Sequence, residues 1–110
     1  MTNEKLFFID VLKLVPEGSM LFIQAPSSDN SWLKSKMVNT EYAYYKSLVL
    51  TPENRSAFIN EILDNDVQED IQSIEIRENE QLLFEGFDGV EFGTISQHIE
   101  FPDEFSKYLN

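Results

Sequence analysis

The stretch from Ile71 to Ser96 constrains the fold of this chain more than any other. Ile71–Arg77 places Ile74 and Ile76 at alternate positions, the period of a strand with one buried face. Glu78-Asn79-Glu80 reads as a turn. Gln81–Gly86 follows as a second strand, with Leu82 and Phe84 on one face and Leu83 and Glu85 on the other. Asp88-Gly89 is a hairpin signal, and Val90–Ser96 is a third strand. Three strands joined by short turns predict an antiparallel meander. Such a sheet leaves an apolar face that helices from elsewhere must cover.

The rest of the chain supplies those helices. Thr51-Pro52-Glu53 is a helix start: a capping hydroxyl, a proline at the first helical position, then an acid near the positive end of the dipole. Phe58, Ile59, Ile62 and Leu63 recur behind it at helical spacing. Near the N-terminus, Thr2 or Asn3 caps a helix whose apolar side is Leu6, Phe7, Ile9, Leu12 and Leu14, stopped by Pro16-Glu17-Gly18-Ser19. Met20–Ala25 is a short apolar run that fits a buried strand. Trp32–Asn39 reads as a short helix capped by Ser31 or as an ordered loop, and Tyr45–Leu50 as another strand. Pro102-Asp103-Glu104 opens a final helix carrying Phe105, Tyr108 and Leu109. The expected fold is a single α+β domain over residues 1–110. It has two layers, a mostly antiparallel sheet with a C-terminal β-meander, and helices at both ends and in the middle.

Charge is distributed unevenly. Residues 1–46 carry five acids and five bases, so the whole formal charge of −12 belongs to residues 47–110, where fifteen acids meet only Arg55, Arg77 and Lys107. A surplus of this size argues against nucleic acid and anionic membrane surfaces, which are bound through Lys and Arg. Cys is absent and His98 is the single histidine, so thiolate nucleophiles, disulfides and the usual Cys/His zinc sites fail on residue count. The N-terminal residues show no basic segment followed by a clean apolar one, and no run of 18 apolar residues occurs. The expected location is the cytoplasm, with no cofactor and no metal.

Four motifs in the chain suggest chemistry. Asp64, Asp66, Gln68 and Glu75 fall at positions 1, 3, 5 and 12 of a calcium loop, but Glu69 stands where the sharp turn needs glycine. A solvated loop fits better. Glu85, Asp88 and Glu91 cluster around one hairpin and suggest a small carboxylate-dependent hydrolase, although an acidic chain makes such clusters by chance. His98 near Ser96 lacks the strained turn of a nucleophile. Gly86, Gly89 and Gly93 sit in a hairpin and not before a helix, so they do not form a phosphate cradle. Trp32, with Tyr42, Tyr44 and Tyr45, is of the residue type enriched at interface anchors.

These features favour a non-enzymatic binding protein. Its expected partner-binding residues are Asp64, Asp66, Glu69, Asp70, Glu78, Glu80, Glu85, Asp88 and Glu91, gathered in one contiguous patch, with Trp32 as an anchor. In size, charge and overall pattern the chain resembles the small acidic immunity proteins with which bacteria neutralise their own toxins. That resemblance implies a basic toxin domain as partner, covered at its active site by direct binding. An acidic secretion-type chaperone has similar size and charge, and is the alternative.

Overall fold

A computed structural model describes residues 3–40, 45–87 and 92–95. Helix α1 spans Asn3–Leu14, strand β1 Met20–Gln24, helix α2 Ser31–Lys36, strand β2 Val38–Asn39 and strand β3 Lys46–Val49. Helix α3 follows at Pro52–Asn65, then a turn of 3-10 helix at Val67–Asp70. Strands β4 Ser73–Glu78, β5 Gln81–Phe87 and β6 Phe92–Ile95 come last. The six strands form one sheet in the order β2-β3-β1-β4-β5-β6, with every neighbouring pair antiparallel. The expected meander is β4-β5-β6. The α+β class and the antiparallel sheet are as the sequence predicts. The expected C-terminal helix lies outside the described residues.

Alternation decides which side of the sheet meets the helices. Leu21 pairs with Leu48 and Ile76, and Ile23 pairs with Ile74, so these residues share one face. All are buried, beneath Phe8, Val11 and Leu12 of α1 and Phe58 and Ile62 of α3. Phe8 meets Phe58 edge-on at 6.0 Å and stacks beside Phe84 of β5 at 6.2 Å. Three elements distant in sequence thereby share one aromatic cluster. Met20–Gln24 takes the central place because its inward side chains are apolar and its neighbours on both sides supply matching aliphatic residues.

Several local details differ from the sequence reading. The buried face of α1 is Phe8, Val11 and Leu12, with Ile9 beside it and Val15 buried just past its end. Leu6, placed on the apolar side by its type, is exposed, and Phe7 and Leu14 are half-buried. Positions 8, 11, 12 and 15 form a cleaner helical stripe than the expected set of Leu6, Phe7, Ile9, Leu12 and Leu14. Leu63 is likewise exposed at the edge of the α3 stripe. In β5 the register shifts between Ile76 and Arg77 of the partner strand, a β-bulge. It breaks the alternation, so Leu83 and Phe84 are both buried, whereas Leu82 is half-buried. The two-residue strand β2 falls where a helix or loop was expected.

The turns carry the chain between layers. Gly18 adopts φ +85°, which an L side chain rarely takes, and its N–H donates to the Leu50 carbonyl at 3.0 Å. Leu50 N–H donates in return to Ser19 at 2.8 Å. The end of α1 is closed from α3: Arg55 donates through Nη1 to the Lys13 carbonyl at 3.1 Å and through Nη2 to that of Val15 at 2.8 Å. A cation at the negative end of a helix dipole is stabilising there.

Candidate functional site

Helix α3 places the first of the site's residues. The Thr51 hydroxyl accepts the Asn54 N–H at 3.1 Å and Pro52 presets the first turn. The helix ends at Asp66, whose backbone is left-handed (φ 51°, ψ 38°) and whose N–H donates to Ile62. Aspartate tolerates that conformation better than most L residues. Phe58 and Ile62 face the core, which turns Glu61 and Asn65 toward the loop that follows β1.

That loop is organised by Asn30. Its Oδ1 accepts the Leu33 N–H at 2.8 Å and so caps α2, the role the sequence reading gave to Ser31. Its Nδ2 donates to Oε2 of Glu61 at 3.1 Å. Asn65, one turn along α3, donates its Nδ2 to the same Glu61 oxygen. A single carboxylate thus receives two amides, one from each wall of a surface groove of about 440 Å³. Ser27, Asp29, Asn30 and Ser31 form one wall; Glu61, Asn65, Val67 and Asp70 form the other.

The electrostatics of the groove are one-sided. Asp29, Glu61 and Asp70 line it, and none of the described lining residues is basic. Lys34 stands nearby, 3.6 Å from Asp29. The amide donors, Asn30 first and Asn65 second, hold the Glu61 carboxyl below its ordinary range. Asp66, just outside the groove, is also held low, chiefly by the hydrogen bond from Lys5 of α1. A general acid at neutral pH needs the opposite shift. These groups are fixed anions suited to receiving a guanidinium or ammonium group, with amides and hydroxyls to orient it.

The residues expected to bind a partner do not gather in one place. Asp70 lines the groove, and Asp64, Asp66 and Glu69 are exposed around the same end of α3. Glu78 and Glu80 sit at the β4–β5 turn, about 17 Å away along β4 at roughly 3.3 Å per residue. Glu85 is half-buried in β5, on the sheet face away from the helices. Among the described residues the contiguous patch expected from sequence is therefore divided into two groups at opposite ends of β4, because a strand carries its two ends apart, with Glu85 between them on the outer face. Asp88, Glu91 and His98 lie outside the described residues. Trp32 is half-buried and stacked on Phe58 at 6.0 Å, so its ring is committed to the edge of the core. The twelve residues with calcium-loop spacing run from the end of α3 through a 3-10 turn into β4, and do not circle one point. Among the described residues no three His, Cys, Asp or Glu side chains gather where one ion would touch them all.

Sequence reasoning missed Asp29, Asn30, Glu61 and Asn65. The i, i+4 spacing of Glu61 and Asn65 was visible. Nothing local linked them to Asn30, thirty-one positions away. Among the described residues no helix is long and apolar enough to cross a membrane. Comparison with protein-family models, with curated proteins and with solved structures returned no match.

Proposed function

We propose that this chain is a non-enzymatic binding protein of the immunity type, which neutralises a basic protein, most simply a toxin domain, by direct binding. The observation that carries the reading is the Glu61 carboxylate, held ionised by Asn30 and Asn65 in a groove shared with Asp29 and Asp70. Lysine or arginine side chains of the partner enter this groove. The surrounding acids at Asp64, Asp66 and Glu69 steer the encounter and raise its rate. The chain then acts in the compartment where its partner must be held silent, the cytoplasm.

The test is capture from the native host, followed by function. The wild-type chain should retain a protein of basic isoelectric point that is released by salt, and co-expression should suppress that protein's toxicity. Glu61→Lys combined with Asp70→Lys should abolish both while leaving the far-ultraviolet circular dichroism unchanged. Retention of an acidic protein, or capture and protection undiminished in the double variant, would refute the proposal.

A further inference from the structure

The sheet has a second face. Alternation turns Met20 and Phe22 of β1, Ser47 and Val49 of β3, and Glu75 and Arg77 of β4 away from the helices. No described helix lies over them, since α1, α2 and α3 all contribute to the core on the opposite side. Val49 is 41% exposed on this face, and Val38 of β2, paired with Ser47, is 63% exposed. An apolar region thus occupies the β2-β3-β1 half.

The other half is acidic in an unbalanced way. Glu75 and Glu85 stand directly opposite each other on β4 and β5. Like charges in that position repel, and a stable sheet ordinarily avoids them. Arg77 does not resolve the conflict. Its Nε and Nη2 both donate to Oε1 of Glu75, at 2.9 and 2.6 Å, and its Nη1 is directed at the Glu80 carbonyl at 3.3 Å. The Glu85 carboxylate, unlike its backbone, has no hydrogen bond or ion pair among the described residues. The face therefore joins an apolar region, exposed at Val38 and Val49 and half-buried at Met20 and Phe22, to a carboxylate that no described cation pairs.

We propose that this face is a second docking surface, which takes an amphipathic basic helix of a protein partner. Its apolar stripe lies on Met20, Phe22 and Val49, and a lysine or arginine at the edge of that stripe pairs with Glu85. From β2 to β5 the face spans about 19 Å at roughly 4.8 Å per strand, the length of about 13 helical residues. The inference rests on the reading that the partner is basic, but on a surface separate from the groove at Glu61.

A labelled synthetic helix of about 14 residues, with leucines on one side and lysines flanking them, is the probe; its twin carries glutamate in place of lysine. Fluorescence anisotropy with the full chain should show binding of the basic helix and not of its twin. Glu85→Lys should weaken binding about tenfold or more, whereas Glu53→Lys, an equal charge change on the exposed first turn of α3, should weaken it less than about threefold. Glu85→Gln should weaken binding while leaving the melting temperature unchanged or higher, because it removes a like-charge contact. Equal losses in Glu85→Lys and Glu53→Lys would overturn the proposal. So would amide shifts confined to the Asn30–Glu61 groove, a homodimer lost on Glu85→Lys, or contacts in the free chain between the Phe22 ring and residues beyond 95. Against the captured host protein, loss of binding in Glu61→Lys with none in Glu85→Lys would sink this inference and spare the groove.

Discussion

The β4–β5 turn offers a direct measurement of backbone strain. Glu78 pairs with Gln81, so the loop is Asn79-Glu80, and both residues have positive φ, 49° and 71°. This is the geometry of a type I′ hairpin, for which Asn-Gly is the favoured pair. Asn79 tolerates the left-handed region. Glu80 does not, and its Cβ costs roughly 1–2 kcal/mol there. Glu80→Gly removes that cost but adds the greater freedom of glycine in the unfolded chain, about 0.5–1 kcal/mol. The net expectation is a gain of about 0.5–1 kcal/mol. With an unfolding entropy near 2.1 cal/mol/K per residue, this raises the melting temperature by about 2–4 °C. The Arg77 bond to the residue 80 carbonyl involves backbone and survives the change. Glu80→Ala is the control: it deletes the same charge while keeping a Cβ at the same φ. Thermal and urea unfolding, followed by circular dichroism, should show the gain in Glu80→Gly and little change in Glu80→Ala. Equal gains in both variants would assign the effect to charge and refute the strain argument.

Other consequences follow from the core, the helix caps and the groove. Phe58→Ala removes a fully buried ring that touches Phe8 and Trp32, and should cost about 3–5 kcal/mol with a red shift of Trp32 emission. Arg55→Ala leaves the Lys13 and Val15 carbonyls without their donor, and should cost about 1–3 kcal/mol by urea unfolding. Glu61 and Asp66 have folded-state pKa values depressed below 4.5 and 3.8, so the unfolded chain takes up protons first as pH falls. Their contribution is present above those values and lost below them; Lys5→Met together with Glu61→Gln should flatten the acid limb of the urea midpoint against pH.

The elements that were legible share a reason. Thr51-Pro52-Glu53 determines a helix start whatever surrounds it, because the cap and the fixed proline φ act within one turn. Ile74 and Ile76 announce a strand because alternation is a property of the backbone itself. Signals failed where a neighbour's geometry intervened. The bulge opposite Ile76 and Arg77 buries Leu83, which simple alternation had turned away. Asn30 outcompetes Ser31 as the α2 cap, while its remaining amide donor reaches Glu61 on a different element. The residue type of Trp32 suggests an anchor, yet Phe58 offers it a flat apolar partner.

By itself, the order of residues settled the α+β class, the meander, the main helices and the concentration of negative charge after residue 46. These follow from local periodicity and from counting, and neither depends on distant contacts. Tertiary structure alone decided the strand order, with β1 between β3 and β4, and the pairing of Glu75 with Glu85. It also divided the acids between the two ends of β4 and brought Asn30 to Glu61. Those relations arise when segments far apart in the chain bury their apolar faces against one another, and the charged and amide groups go wherever that packing leaves them.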